Sequence, residues 1–594
     1  MADDNNLYES FNRNLKHYAN LLIQTNSNQI FWDIVLLTSG NLHQKSLYER
    51  QIRRKLEKNE IPNLADPQGI QIGSGGSTLL AMKFLDDTYG SILKQKKVLL
   101  IHAGGYSTRL PHVSASGKIF MKIPIGNSER ERNWIELFDL KLIIYLELIN
   151  YLKDGTVFLT SSDTIELMSL NAKETSLQTS IYNTPFVALA HPSTLQIGTT
   201  HGVYKIQDDC QDDILLPKDQ GSFIKICKEY LHKPSIEFMR NHNGIIHLDN
   251  GGYEFVYTDS TYFFDYNILK IFLKILDEIQ PLTYELEAWS DFLSTKFTNR
   301  IITQEISTLE KAQLTILKEL YSLENPKLNV LILNNSKFYH MGTMFEYLNE
   351  CCINPQFKGI VKFTSEESLD KKTSNNGNIC MINSHINENT VLFEEFAPII
   401  LDNIKVHKTF AEEDKKVIIG GWSILSNIEL NTSNLMSKEI RIPNHICMFT
   451  LHLKILNQKI FSTFNNEEGF VTFIFGINDD MKAKYSFDSL IIYKNILVHK
   501  IIHSQYYKCK NLQEQLPPKL ALWNAPIFPM TKTKEQSIKL AIQMLEKIEK
   551  AKYIIENNII EKDMEIYEKD ILKENYEIII FTSLKMSVEI MEIL

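Results

Sequence analysis

"VLLIHAGGYSTRLPHVSASGKIFMKIP", Val98 to Pro124, begins as a run of apolar β-formers and breaks at two adjacent glycines. A short apolar run closed by a glycine pair reads as a buried strand meeting a turn at its carboxyl end. Glycine at such a turn lets the backbone approach a ligand closely, and the amides of the turn form a concavity that binds anions. Arg109 and Lys118 follow, with no acidic side chain between them. From Thr88 to Ser128 there is no Asp or Glu, while six Lys or Arg fall in that window. In a chain of net charge −9, a locally positive glycine turn suits a polyphosphate, with Arg as a planar fork and Lys as a point charge. On this stretch alone, a solvated basic loop with a glycine turn explains the pattern equally well.

The neighbouring segments supply a frame. "FWDIVLLTS" (Phe31–Ser39) reads as a strand and "HQKSLYERQIRRKLEKNEI" (His43–Ile61) as an amphipathic helix. "GIQIGSGGSTLLAMKFLDDTYG" reads as a glycine-rich loop leading into a helix. Because "GSGGST" lacks the Gly-Lys-Ser/Thr ending of a P-loop, Gly75 and Gly76 either make a turn or add a contact to a nucleotide. After Lys118, "IELFDLKLIIYLELINYLKDG" is a helix and "TVFLTSSDTIEL" a strand ending in an acid. Strands alternating with helices indicate a doubly wound α/β domain with a mainly parallel sheet. Ligands of such sheets bind beyond the carboxyl ends of the strands, where the glycine turn and Asp163 both fall. "VYTDS" places Asp259 within or just past another apolar strand. Either acid alone reads as a cap or turn residue; opposite a phosphate loop, the pair offers the hard oxygen ligands that a magnesium-assisted transfer needs.

Near Pro326 the rhythm changes. "LNVLILN", "TVLFEEF", "KVIIGGWSIL" and "HICMFTLHLKIL" are short β-like segments without long helices between them. They predict a β-rich second domain of β-helix type, although the spacing is too irregular to count coils. The expected division is a first α/β domain over 1–325, the β-helix-like domain over 326–470 and an extension over 471–594. That extension is helical from about Thr531, with a charged and solvated outer face.

The bulk numbers exclude several classes. A chain of 594 residues is too long for one core. With 44% hydrophobic and 23% charged residues and a pI near 6.0, the chain has the makeup of a folded protein without a general case for nucleic-acid or membrane binding. Seven cysteines are scattered, Cys351–Cys352 is the one close pair, and there is no C-x-x-C, so neither structural zinc nor a disulfide framework is expected. The polar start "MADDNNLYES" lacks the apolar core of a signal peptide, and no apolar run approaches bilayer length. A reducing, cytoplasmic setting is expected.

The order of elements resembles that of the sugar-nucleotide pyrophosphorylases. The matching phrases are "AGGYSTRL", Lys118, "LTSSD" with Asp163, "THGVYKI", "LHKPS" with Lys233, and "TDSTYFF" with Asp259. Longer phrases, among them "IGSGGSTL", "ALAHPSTLQIGTTHGV", "LNNSKFYHMGT" and "LWNAPIFP", are similar to the GDP-L-fucose pyrophosphorylase (fucose-1-phosphate guanylyltransferase) branch. They are more distantly similar to the pyrophosphorylase half of bifunctional fucokinases, and no kinase half is seen.

The resemblance implies a Rossmann-like, GT-A-like nucleotidyltransferase domain followed by a left-handed β-helix and a helical extension. It implies the reaction of GTP with β-L-fucose 1-phosphate to give GDP-L-fucose and pyrophosphate, with Mg2+ or Mn2+. Gly104, Gly105, Ser107, Thr108 and Arg109 would then hold the nucleotide phosphates and Lys118 the charge at the α-phosphate. Asp163 and Asp259 would hold the metal, and Lys233 the sugar phosphate. His201, Asn335, Lys337, Tyr339 and His340 are the candidate sugar contacts, with both histidines equally readable as structural. "YELEAWSDFL" (Tyr284–Leu293) departs from the family phrase, which leaves sugar identity more open than reaction type. A pyrophosphorylase for another sugar or base and a non-catalytic nucleotide-sugar sensor are the rival readings. The retention of Lys118, Lys233, Asp163 and Asp259 argues against the sensor. A nicotinamide-binding fold is disfavoured because "GGYSTRL" lacks the third glycine of that fingerprint.

Overall fold

A computed structural model describes residues 4–23, 31–53, 61–125, 135–170, 175–206, 221–248, 252–295, 307–322, 327–361, 378–386, 390–394, 397–407, 415–431, 439–455, 468–493, 496–498, 518–556, 578–582 and 591–593. The chain divides into two compact units. The first comprises Met1–Gly105, Glu136–His340 and Gly359–Val361; the second comprises Tyr106–Ile135, Met341–Lys358 and Lys362–Leu594. The first unit therefore runs past residue 325 and takes in "LNVLILN", which the sequence pattern had suggested for the second domain. Residues 499–517 and 557–577, within the expected extension, lie outside the described residues.

In the first unit, β1 (Ile34–Ser39), β2 (Asn63–Ala65), β3 (Val98–His102) and β4 (Val157–Ser161) lie side by side and parallel. Every residue of β1, β3 and β4 is buried, as expected of apolar runs covered on both faces. The sheet continues through β6 (Phe186–Ser193), β7 (Gly202–Ile206), β8 (Ser222–His232), β9 (Ile246–Leu248), β10 (Tyr253–Thr258), β11 (Tyr262–Phe264) and β12 (Asn329–Leu333). The order is β2-β1-β3-β4-β11-β6-β12-β8-β7-β10-β9.

Beyond β4 nearly every pairing is antiparallel: β11 runs against both β4 and β6, and β7 runs against β8 and β10. The expected mainly parallel sheet is thus corrected to a mixed one. Parallel neighbours need a crossover of a dozen residues or more. Among the described residues the helices between β6 and β10 are only Leu195–Gly198 and Ile236–Asn241, too short for that crossover, whereas β12, which follows two 14-residue helices, does run parallel to β6.

"TVFLTSSDTIEL" likewise divides. β4 stays in the sheet, Asp163 lies in the bend, and β5 (Thr164–Met168) leaves to pair with β13 (Ser336–His340).

Helix Leu137–Ile149 is buried along its whole length, including Lys141. An ammonium in that setting must be neutralised and hydrogen-bonded. The three N–H groups of Lys141 Nζ are shared among four acceptors, Glu166 Oε2 at 3.0 Å and the hydroxyls of Tyr145, Thr160 and Thr164 at 3.0, 3.0 and 3.1 Å. Tyr145 and Thr261 complete the set by donating to the two Glu166 oxygens at 2.6 and 3.0 Å. Burial pushes the Glu166 carboxyl up, but Lys141 with the Thr164 and Tyr145 hydroxyls outweighs it and holds the group below the usual range.

A second buried line joins the parallel strands to the helix Gly73–Tyr89. Thr78 Oγ1 donates to the Ser74 carbonyl at 2.9 Å and lies 2.9 Å from His102 Nε2; Thr38 Oγ1 lies 3.2 Å from Nδ1. With its proton committed to Ser74, the Thr78 hydroxyl accepts from Nε2–H, so Nδ1 accepts from Thr38 and the ring is neutral.

The second unit contains three parallel ladders. β14 (Ile379–Ile382), β16 (Ile399–Asp402), β19 (Ser423–Ser426) and β22 (Ile446–Ile455) form one. β15 (Val391–Phe393), β18 (Lys416–Ile419) and β21 (Glu439–Ile442) form another, and β17 (Lys405–His407) with β20 (Glu429–Asn431) the third. Each apolar position stacks on its counterpart one repeat later: Val391 beside Val417 beside Ile440, and Ile400 beside Ile424 beside Cys447. β22 then turns antiparallel onto β23 (Glu468–Gly476). Helix Lys534–Glu556 follows, with Ile538, Ala541, Leu545 and Ile548 buried, so the expected tail helix has a core face beside its charged one.

Two outcomes are expected. Lys141→Met strands a buried carboxylate and should cost about 3–5 kcal/mol in urea denaturation, whereas Lys141→Met/Glu166→Leu should cost much less; equal losses would dissolve the pairing. The second concerns pH. Burial holds the His102 imidazole down at about 4, against roughly 6.5 when unfolded. The unfolded chain therefore takes up the proton first, and stability is lost as pH falls from about 6.5 to about 4. Between roughly pH 7 and pH 4.5 the wild type should lose on the order of 2–3 kcal/mol that His102→Gln does not lose, measured by urea titration at both pH values. A parallel pH response in the two proteins would rule this out.

Candidate functional site

The carboxyl end of β3 delivers the glycine turn. The Tyr48 hydroxyl donates to the Ala103 carbonyl at 2.7 Å, and Gly104 and Gly105 then stand exposed. A Cβ on Gly104 would meet Gly40 N at 3.0 Å and the Ser39 carbonyl carbon at 3.1 Å. Gly105 has φ +103°, a conformation other residues rarely adopt. Both glycines are thus required by geometry, and both leave backbone open at a strand end.

Further along the sheet, the bend between β4 and β5 places Asp163 Oδ2 3.0 Å from His340 Nε2. The His340 ring meets that of His201 edge to face at 4.8 Å, and His201 meets Phe338 at 5.0 Å. Lys233 joins through its backbone, donating to the His201 carbonyl at 3.0 Å. Lys233 has φ 45°, strain of the kind that gathers at binding sites. Asp163, His201, Lys233 and His340 are therefore brought together. His201 also has a structural share, since its Nδ1 lies within hydrogen-bond reach of the Ile197 carbonyl and the Thr200 hydroxyl at 3.1 and 2.9 Å.

Asp259 is placed differently. It is fully buried; one oxygen accepts from the amides of Ser260 and Thr261, and the other faces His191 Nε2 at 3.1 Å. On the far side of that ring, His191 Nδ1 lies 2.6 Å from Ser336 Oγ, whose own proton goes to the Leu333 carbonyl. His191 Nδ1–H must therefore donate to Ser336, leaving a single proton to be shared between Nε2 and Asp259. Burial, then the Glu166 charge, raises the Asp259 carboxyl to about 6.

A carboxylate sealed from solvent with both oxygens engaged does not fit the expected role of metal ligand, so that reading of Asp259 is corrected. Among the described residues no group of three or more His, Cys, Asp or Glu is gathered as a metal would need. The other expected ligand, Asp163, keeps a partly exposed side chain at the rim.

The remaining candidates divide by strand pleat and by unit. On β13, Ser336, Phe338 and His340 face His191, His201 and Asp163. Lys337 lies on the opposite face, where its ammonium pairs with Asp4 at 2.5 Å; period-2 alternation thus takes it away from the expected sugar contact. Tyr339 shares the Lys337 side of the pleat and is buried. Asn335 is buried, with its carbonyl accepting from Ser169.

Gly75 and Gly76 begin a helix rather than a loop. A Cβ on Gly75 would meet the Leu286 backbone at 2.9 Å, one on Gly76 would meet Ile72 at 2.8 Å, and Gly75 N–H donates to the Leu286 carbonyl. Close packing accounts for both glycines, and the expected nucleotide contact through Gly75 is corrected.

Ser107, Thr108, Arg109 and Lys118 belong to the second unit. There Ser107 has φ 48° and its carbonyl accepts from Leu110 N–H and Ser114 Oγ. The Arg109 carbonyl accepts from Met344 N–H while its side chain stands exposed. Lys118 opens a short 3-10 turn behind Gly117 at φ 89°.

Sequence reasoning missed Lys141, Glu166 and His191. The first had a visible signal: a lone lysine inside "LFDLKLIIYLELI", an otherwise apolar helix, is a charge that must find a partner.

The fucose pyrophosphorylase domain model matches residues 90–533. The chain is 30% identical to a fucose-1-phosphate guanylyltransferase of Homo sapiens, with 94% of this chain and 93% of that protein covered. It is 30% identical to one of Mus musculus over 91% of this chain and 90% of that protein. A bifunctional fucokinase/GDP-fucose pyrophosphorylase of Arabidopsis thaliana is 25% identical over 37% of this chain and 23% of its own length. The match extends through both units, and the chain belongs to the fucose pyrophosphorylase family.

Proposed function

We infer that this protein is a fucose-1-phosphate guanylyltransferase, forming GDP-L-fucose and pyrophosphate from GTP and β-L-fucose 1-phosphate. The observation that carries the reading is the match to guanylyltransferases over 94% of this chain and 93% of the relative's length. The open glycine turn at the end of β3 and the Asp163–His340–His201–Lys233 group at the same end of the sheet support it.

In this reading an oxygen of the sugar 1-phosphate attacks the α-phosphorus of GTP in line. The bond from that phosphorus to the bridging oxygen breaks, and pyrophosphate leaves with the electron pair. Two polyanions have to meet, so the protein's work is alignment and charge neutralisation. Amides of the Gly104–Gly105 turn, with Arg109, take the two phosphates that depart. Lys118 stabilises charge around the α-phosphate, and Lys233 grips the incoming phosphate beside His201. Asp259, buried and engaged by His191, does not fit as a ligand of the expected Mg2+ or Mn2+.

The first unit is taken as a Rossmann-like, GT-A-like nucleotidyltransferase domain, and the stacked parallel ladders of the second as coils of a left-handed β-helix. A cytoplasmic setting belongs to the proposal too, supported by five described cysteines that are all unbridged. No helix among the described residues is long and apolar enough to cross a membrane.

Pyrophosphate release with GTP or UTP across a panel of sugar 1-phosphates should be fastest with GTP and fucose 1-phosphate; turnover with UTP alone, or with no sugar phosphate, would refute the reading. Lys118→Ala should lower turnover about 10²–10³-fold in folded protein, and near-normal turnover would remove Lys118 from its role.

A further inference from the structure

Helix Leu42–Arg53 sends Gln44, beside Tyr48, across to the glycine turn. Gln44 is buried at 7% exposure and uses both ends of its amide. Oε1 accepts from Gly40 N–H at 2.7 Å, and Nε2 donates to the Gly105 carbonyl at 3.0 Å. Gln44 is itself fixed by Asn41, whose side-chain oxygen accepts from Gln44 N–H at 2.9 Å.

The two loops so bridged touch backbone to backbone. A Cβ on Gly40 would lie 3.0 Å from Gly105 N and 3.4 Å from Gln44 Oε1, and one on Gly104 would lie 3.0 Å from Gly40 N.

We propose that Gln44 is a positioning residue for the nucleotide: it holds the Gly105 carbonyl turned inward, so that this oxygen is kept away from the triphosphate. The inference rests on the guanylyltransferase reading above. In a planar trans peptide the C=O and the following N–H point in opposite directions. A Gly105 carbonyl held by Gln44 therefore sends the next amide the other way. Glycine at φ +103° has broad conformational freedom, and nothing in its own side chain opposes a flip of that plane. A flipped plane would set a carbonyl oxygen against phosphate oxygens, an electrostatic cost at the point where negative charge gathers. Glutamine suits the task because one short amide offers an acceptor to Gly40 and a donor to Gly105 together.

Two near-isosteres separate this role from simple packing. Gln44→Met keeps the volume and removes both hydrogen bonds. Gln44→Glu keeps the acceptor for Gly40 but turns an acceptor toward the Gly105 carbonyl. Equilibrium binding at neutral pH should show GTP weakened roughly tenfold in Gln44→Met and further in Gln44→Glu, with fucose 1-phosphate affinity unchanged in both. Lowering the pH toward 5 should bring Gln44→Glu back toward wild type, since a protonated carboxyl again donates. A buried carboxylate here is costly and pH-sensitive whatever the role of Gln44, so the deciding readout is which ligand weakens. Packing alone predicts equal weakening of GTP and fucose 1-phosphate in Gln44→Met; that result overturns the proposal. A wild-type protein that binds no GTP refutes the guanylyltransferase reading and this inference with it; a GTP-binding wild type with indifferent Gln44 variants refutes this inference alone.

Discussion

The first unit is organised around an ammonium that has no access to water. Lys141 lies in a helix with no exposed residue, and an isolated cation there would be prohibitively costly. Its acceptors come from the same helix, from β4 and from β5, while Thr261, at the start of β11, caps the other Glu166 oxygen. A buried ion pair offsets its own desolvation only when the remaining hydrogen-bonding capacity is filled, and here it is. That requirement determines where β5 can lie, and with it the bend that presents Asp163. Through Thr261 it also reaches the next bend, where Asp259, His191 and Ser336 share protons behind the rim. The acids that look alike in sequence end in opposite roles for this reason: one at the rim, the other sealed within the supporting network.

Glycine serves two separate physical purposes in the same unit. At Gly75 and Gly76 it removes side chains so that a helix start can lie against Leu286 and Ile72. At Gly104 and Gly105 it allows two strand-end loops to touch while leaving backbone exposed. The difference lies in what surrounds each position, not in the residue. An amide already donating to Leu286 cannot serve a phosphate, whereas an exposed turn at a strand end can. The signature that begins at Gly104 also crosses from one compact unit to the other immediately after Gly105.

The strand–turn character of Val98–Gly105, a helix across 137–149, the acid after β4 and the shift to short β segments were all legible from periodicity and turn residues. Those are local properties: an apolar run needs burial wherever it goes, and a glycine pair interrupts it wherever it lies. The order of short motifs from "AGGYSTRL" to "TDSTYFF" was likewise enough to indicate the family, because it records which residue types follow one another and requires no distances.

Tertiary structure alone decided partnership and exposure. Whether Asp259 would face a ligand or a histidine, and whether Lys337 would face a sugar or Asp4, depends on register. A one-residue change in pleat moves a side chain to the other face. The change from parallel to antiparallel pairing after β4 depends on which strands become neighbours, and the packing role of Gly75 depends on Leu286, more than two hundred residues away in the chain. Gln44 reads as one polar residue of an amphipathic helix until the fold brings Gly40 and Gly105 within reach of its two ends. Sequence carries the inventory of groups and their local geometry; the charge, burial and hydrogen-bond partners that give those groups function exist only once distant segments are packed together.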